Sequence, residues 1–126
     1  MQLLWIALAG AAGTLARYGL SAGVQRWTPD HLPYGTLAVN LLGCLLFGLA
    51  LTLIRERGWV GHQASLAILV GFLGAFTTFS TYAFESAGAL QGPGWGLGLL
   101  NLLLSPALGL LAYWGGAALA RQVAAA

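Results

Sequence analysis

The residues from Thr77 to Tyr82 place hydroxyl and aromatic side chains, and no aliphatic one, within an otherwise apolar stretch. Two glycines, Gly71 and Gly74, come just before them. Threonine and serine hydroxyls bond to carbonyls of the preceding turn and bend helices, and glycine accepts non-helical dihedral angles, so this spacing predicts a break in a helix. A break frees carbonyl oxygens, which suit a hard cation, and creates a helix N-terminus, which attracts anions. The alternative is a packing face rich in serine and threonine.

Two aromatic residues of this segment, Phe79 and Tyr82, share one helical face because they are three residues apart. The edge of an aromatic ring carries partial positive charge. Two such edges along a narrow path would help to coordinate an anion that has lost its water. Aromatic residues at this spacing also occur in ordinary helix packing.

Two pairs of polar residues repeat a spacing of four inside other apolar stretches, Thr36 with Asn40 and Asn101 with Ser105. An asparagine side chain offers two N–H donors. Each pair is also explained by a hydrogen bond between membrane helices, worth about 1 kcal/mol. Because two stretches carry the pattern, we interpret it as a track of donors.

Two ionisable residues, Arg17 and Glu85, lie near the limits of the apolar stretches. Such residues are costly within a membrane and need a specific reason. A charge at the mouth of a pore and a structural salt bridge explain them equally well.

The composition indicates the environment of these residues. Hydrophobic residues make up 59% of the 126 residues and charged residues only 6%, whereas soluble domains carry about 25% charged residues. The net charge of +2 is too small and scattered to indicate nucleic acid as a partner. The single cysteine, Cys44, excludes an internal disulfide framework.

Four stretches are long enough to cross a bilayer, since about 20 helical residues span roughly 30 Å of hydrocarbon. The first stretch is predicted to be a retained helix rather than a signal peptide, because no Lys or Arg precedes it. We therefore expect one all-α integral membrane domain over residues 1–126, with four transmembrane helices, the third of them broken mid-membrane. The predicted spans are about 3–24, 35–54, 64–87 and 96–120.

Small residues let helix backbones approach closely, as with Ala9 and Gly13, four residues apart on the first span, and with Gly43 and Gly48 on the second. Four helices of this size enclose little interior. Oligomerisation is therefore expected.

Three segments together resemble one known family, the Fluc fluoride channels, also called CrcB proteins. They are Gly10-Ala-Ala-Gly-Thr-Leu-Ala-Arg-Tyr18, Gly35-Thr-Leu-Ala-Val-Asn-Leu-Leu-Gly43 and the stretch from Gly71 to Tyr82. The third segment is the most specific, and the resemblance covers nearly the whole chain. It implies an antiparallel, dual-topology homodimer in the inner or plasma membrane, which exports fluoride passively and relieves fluoride toxicity.

The same resemblance implies roles for single residues. Backbone carbonyls of Gly74 and Thr77, from both subunits, would hold a structural sodium ion (Na+) at the dimer centre. The pore-facing aromatic residues would be Phe79 and Tyr82. The remaining positions on the fluoride pathway, including the hydroxyl donors beside the break, would be Thr36, Asn40, Ser80, Thr81, Glu85, Asn101 and Ser105.

Two positions depart from the family pattern. Tyr82 stands where many members have phenylalanine, which adds a hydroxyl to an aromatic edge. Gly109 stands where some members have serine, which shortens the polar track on the fourth span.

Two other functions remain open from the residues alone. One is a proton-coupled exporter of the small multidrug type, which requires a carboxylate embedded in the membrane, and Glu85 is the one acid within a span. The other is a subunit that assembles with other membrane proteins without transporting anything. An enzyme is not expected, because so few ionisable residues form no nucleophile–base pair.

Overall fold

The computed structural model describes residues 1–29 and 33–125, and this part of the chain contains helices and no strand. Four helical stretches are long and apolar enough to cross a membrane: Gln2–Gln25, Tyr34–Arg57, His62–Gln91 and Trp95–Val123. The prediction of an all-helical chain with four membrane-capable helices is confirmed. The helices extend a few residues beyond the predicted limits. Asp30 and His31, in the link after the first helix, lie outside the described residues.

The third stretch is built from several shorter helices, whereas the other three are continuous. Helices α1 (Gln2–Gln25) and α2 (Tyr34–Arg57) are followed by α3 (His62–Leu66), a π-helical segment (Ala67–Leu73), α4 (Gly74–Phe76), α5 (Phe79–Gln91) and α6 (Trp95–Ala125). Thr77, with φ -79° and ψ 157°, and Thr78, with φ -146° and ψ 114°, are extended. Backbone groups around these two residues therefore lack their regular helical partners.

Helix α2 packs mainly against α6, α1 packs against the π-helical segment and α4, and α5 packs against α6. Glycines make the closest approaches possible. A Cβ atom on Gly48 would overlap the carbonyl of Tyr113 in α6, and one on Gly13 would overlap the carbonyl of Phe72. Gly74 is different, because a Cβ there would come no closer than 3.6 Å to any neighbour. Packing therefore explains Gly13 and Gly48 but not Gly74.

Most of the surface is apolar, and the interior is small. Large hydrophobic side chains are exposed along every long helix, while Val39, Leu73 and Phe76 are among the few that are buried. Several of the buried residues are polar, notably Thr36, Thr78 and Ser86. Of these, Thr78 is one of the two extended residues, and Thr36 and Ser86 lie on α2 and α5, while a further buried threonine, Thr52, lies nearer the end of α2.

Candidate functional site

Asn40 of α2 lies opposite the extended Thr78 and pairs with its backbone. The Nδ2 atom of Asn40 donates to the Thr78 carbonyl oxygen at 2.9 Å, and the Thr78 amide donates to Oδ1 of Asn40 at 2.8 Å. A carboxamide has the same donor and acceptor pair as a peptide group. Asn40 therefore replaces the helical partners that Thr78 lacks, and it connects α2 to the extended segment.

The side chain of Thr78 caps α5. Its hydroxyl oxygen accepts from the Thr81 amide at 3.2 Å, and the hydroxyl donates to Oγ1 of Thr81 at 3.0 Å. The hydroxyls of Thr78 and Ser80 are 3.4 Å apart. An N-cap threonine satisfies one free amide of the first helical turn. The side chains of Ser80 and Thr81 remain largely exposed.

A groove of about 660 Å³ runs between α2, the extended residues and α6. The exposed fraction of Phe79 is 79%, and its ring centroid lies 5.7 Å from that of Tyr82 with a tilt of 49° between the planes. The groove wall is mainly apolar, with a few polar groups from α2, the extended residues and α6. Its predicted site residues are Asn40, Thr77, Phe79, Tyr82 and Ser105, joined by Gly43, Cys44, Phe47, Thr78, Pro106, Gly109, Leu110 and Tyr113.

The ring of Tyr82 lines the groove, but its hydroxyl is already bonded. It donates to the carbonyl oxygen of Leu102 in α6 at 2.7 Å, and the residue is only 7% exposed. The added hydroxyl of this chain is therefore occupied by a contact between α5 and α6.

The polar residues of α6 form a short chain of hydrogen bonds with α5. Ser105 donates to Oδ1 of Asn101 at 2.7 Å, and Nδ2 of Asn101 donates to Oγ of Ser86 at 2.9 Å. Ser86 is 1% exposed. Ser105 lines the groove, whereas Asn101 does not. The predicted pair on α6 thus serves helix packing through Asn101 and presents one member, Ser105, to the groove.

Thr36 and Glu85 are joined by a hydrogen bond, and neither residue lines the groove. The Thr36 hydroxyl donates to Oε1 of Glu85 at 2.8 Å, while Oε2 of Glu85 is buried with no partner among the described residues. Thr36 and Thr81 also line a second cavity of about 280 Å³, together with Arg17. The ion pair found in the described chain joins Arg121 to Glu56 at 3.1 Å. Glu85 is therefore held by a threonine rather than by Arg17.

The carbonyl oxygens of Gly74 and Thr77 meet the chemical requirement for a hard cation. The Thr78 amide, which would bond to Gly74 in a continuous helix, bonds to Asn40, and the Thr81 amide bonds to Oγ1 of Thr78. Within residues 1–29 and 33–125, neither carbonyl accepts a hydrogen bond. Both oxygens are therefore available as ligands. The described residues contain no cluster of histidine, cysteine or acidic side chains for a different metal.

Several contributions to the site were not predicted from the sequence, and three of them follow a regular spacing. Ser86 completes the link from Asn101, and it lies four residues after Tyr82 on the same helical face. Cys44 reaches the groove because it lies four residues after Asn40. The Leu102 carbonyl is four residues before Pro106, which has no amide hydrogen. Each of these four-residue spacings is visible in the sequence and could have been used to predict the contribution.

Comparison with known proteins identifies the family. The model of the family described as CrcB-like protein, Camphor Resistance (CrcB), matches residues 4–117. The chain belongs to the CrcB family. Every groove residue lies inside the matched range. With its four membrane-capable helices, this CrcB chain is a multi-pass membrane protein.

Curated CrcB relatives match nearly the whole chain. One from Magnetococcus marinus is 45% identical over 123 residues, which are 98% of this chain and 100% of the relative. One from Solidesulfovibrio magneticus is 48% identical over 122 residues, covering 97% and 98%. One from Nitrosococcus oceani is 47% identical over 110 residues, covering 87% and 88%. Each of these proteins bears the name fluoride-specific ion channel FluC.

Proposed function

We propose that this chain is the subunit of a fluoride-selective channel in the inner or plasma membrane of a microbial cell, through which fluoride leaves passively and fluoride toxicity is relieved. The observation that carries the proposal is the full-length similarity to relatives named fluoride-specific ion channels, 45% identical over 98% of this chain in one case. A negative membrane potential favours the exit of an anion by about 2.3 kcal/mol per 100 mV. No coupled energy source is needed.

The groove supports this function because it offers donors in place of water. Fluoride binds its water strongly, so a pore must replace that water with hydrogen-bond donors. One N–H of Asn40 bonds to Thr78, which leaves the second N–H of the same Nδ2 atom for a ligand. The exposed edge of Phe79 adds a positive electrostatic surface. Neither group carries a full charge, so a bound anion can leave.

We assign the remaining pathway residues by their position. Ser105 lies on the groove with Asn40, Phe79 and Tyr82. Thr36 and Thr81 lie on the second cavity. Thr78 lines both cavities, so the extended segment is the partition between them. Ser80, Glu85 and Asn101 line neither cavity. Their proposed role is to support cavity-lining residues through hydrogen bonds, namely Thr78, Thr36 and Ser105.

The proposed assembly is an antiparallel, dual-topology homodimer in which the interruption at Thr77 and Thr78 lies mid-membrane. The groove is open along one side of the chain and includes the exposed Phe79 ring, so a second chain would complete its wall. The arginines are only weakly biased toward one end of the helices. Arg55, Arg57 and Arg121 lie at one end, and Arg26 and Arg17 lie at or toward the other. Such a small bias permits insertion in both orientations.

The proposed sodium ion would be held by the carbonyls of Gly74 and Thr77 from both subunits. The support is that both oxygens lack a hydrogen-bond donor within the described residues. An ion bound there supplies a fixed positive charge close to the groove.

A flux assay tests the function directly. Purified protein is reconstituted into liposomes loaded with fluoride, and release is followed with a fluoride electrode at equal pH on both sides. We expect rapid fluoride release and no chloride release from matched liposomes. Folded protein that releases no fluoride would refute the proposal. Release only under a pH gradient would favour the proton-coupled exporter, and co-purification of a stoichiometric partner with no flux would favour an assembly subunit.

A further inference from the structure

Pro106 leaves one backbone group of α6 without its regular partner. The proline lies inside the helix, and its nitrogen carries no hydrogen. In a continuous α-helix, the amide at position 106 would donate to the carbonyl of Leu102. Within hydrocarbon there is no water to take its place, so the carbonyl needs another donor.

Tyr82 provides that donor from the neighbouring helix. Its hydroxyl lies 2.7 Å from the Leu102 carbonyl oxygen, which is the usual length of an O–H···O hydrogen bond. The tyrosine is 7% exposed, so solvent does not compete for the contact. A phenylalanine at this position would fill the same space and supply no hydrogen.

We propose that Tyr82 is a positioning residue whose hydroxyl replaces the amide that Pro106 lacks. The bond fixes the direction of the long axis of the Tyr82 ring against α6. It also holds α5 and α6 in the register that keeps the Tyr82 ring and Ser105 on the wall of the same groove. The hydroxyl therefore does not serve as an ion ligand. The proline at position 106 therefore requires the tyrosine hydroxyl at position 82.

A second bridge between the same helices provides the matched control. Asn101 donates to Ser86 at 2.9 Å, one helical turn from the Tyr82 contact. Replacing Ser86 by alanine removes a hydrogen bond between α5 and α6 but leaves the carbonyl at Leu102 paired. A substitution of Pro106 should therefore rescue the loss of the Tyr82 hydroxyl and not the loss of the Ser86 hydroxyl.

The test is a double-mutant cycle with Tyr82→Phe, Pro106→Ala and both together, beside Ser86→Ala with and without Pro106→Ala. Unfolding in detergent and fluoride flux per folded protein are both measured. We expect Tyr82→Phe to lower the ratio of folded to unfolded protein roughly three- to tenfold, as for other hydrogen bonds between membrane helices. Its flux should fall several-fold. With Pro106→Ala added, the new amide pairs with Leu102, and both quantities should return close to those of Pro106→Ala alone.

The flux measurement rests on the proposed channel function, whereas the unfolding measurement does not, so failure of the function and failure of this inference can be told apart. Additive effects of Tyr82→Phe and Pro106→Ala, or a double variant that folds no better than Tyr82→Phe, would overturn the positioning role. Equal rescue of Ser86→Ala would also overturn it, because the effect of Pro106→Ala would then be general. If the unaltered protein conducts no fluoride, the proposed function fails. The double-mutant cycle measured by unfolding in detergent then still decides whether Tyr82 and Pro106 are coupled.

Discussion

The side chain of Asn40 and the backbone of Thr78 are joined by two hydrogen bonds, one donated by each residue. This pairing connects α2 to an extended segment whose own helical bonds are missing. The same carboxamide lies on the groove wall and has one N–H left. Asn40 therefore combines a structural role with the proposed role in binding an anion, and a substitution there affects both.

The first prediction concerns Asn40→Asp. The aspartate keeps an acceptor for the Thr78 amide, but its second oxygen faces the Thr78 carbonyl, where the asparagine donates at 2.9 Å. Loss of the donor leaves a buried carbonyl unpaired, which costs about 1–3 kcal/mol. We expect reduced stability in detergent unfolding and no fluoride flux. Cys44→Ala, one turn along the same groove face, is the control and should preserve both. Normal flux in Asn40→Asp would remove Asn40 from the pathway.

A second prediction compares two glycines that both line the groove. A Cβ atom on Gly43 would overlap the Thr77 methyl group and lie 3.2 Å from the Phe76 ring. One on Gly109 would meet only the sulfur of Cys44, at 3.4 Å. Overpacking typically costs about 1–3 kcal/mol. Gly43→Ala should therefore lower the unfolding free energy and displace Thr77, with reduced flux.

Gly109→Ala is the matched control for this comparison, and its unfolding free energy should stay near that of the unaltered chain. Equal stability of the two variants in a denaturant titration would contradict the proposed tight contact between α2 and the extended segment.

The sequence predicts the helices well because their signal is local. Runs of about 20 apolar residues decide the existence of each membrane-capable helix, and small residues such as Gly13 and Gly48 indicate close packing before any partner is known. Their actual partners, Phe72 and Tyr113, depend on which helices pack together. That pairing arises from the three-dimensional arrangement of the whole chain and has no local signal.

The site is only partly predictable for the same reason. The residue types at Asn40, Tyr82 and Asn101 indicate hydrogen-bond donors, but their acceptors are a backbone carbonyl, another backbone carbonyl and a buried serine. A backbone carbonyl has no residue-specific signature. The π-helical segment Ala67–Leu73 is likewise not evident from its sequence, because its apolar residues suit an α-helix equally well.

A third prediction concerns removal of sodium. If the Gly74 and Thr77 carbonyls hold the ion, sodium binds the folded dimer and not the unfolded chain, so it must stabilise the protein by mass action. Replacing sodium by N-methylglucamine at the same ionic strength should lower the melting temperature and the flux. Restoring sodium should reverse both.

Thr77→Ser serves as the control for the sodium experiment. It keeps the backbone carbonyl and the hydroxyl that donates to Leu73, so its response to sodium should match that of the unaltered chain. A melting temperature that is independent of sodium would contradict the cation site.

A fourth prediction concerns Glu85→Gln, which separates the channel from the proton-coupled exporter. Glutamine keeps an oxygen for the Thr36 hydroxyl, which now donates at 2.8 Å, and places a neutral amide at the buried position of Oε2. A neutral group is less costly than a carboxylate within a membrane. We therefore expect unchanged or raised stability, and fluoride release at equal pH that stays close to that of the unaltered chain.

Substitutions of Thr36 provide the matched pair for Glu85→Gln. Thr36→Val removes the donor and leaves both carboxylate oxygens without a partner among the described residues, so stability should fall, whereas Thr36→Ser should preserve it. An exporter requires the Glu85 carboxyl to bind and release a proton in each cycle, and Glu85→Gln would then stop transport completely. A passive channel requires only that the contact between Thr36 and position 85 persists. Loss of transport in Glu85→Gln with folding intact would therefore decide against the channel, and retained release would decide against the exporter.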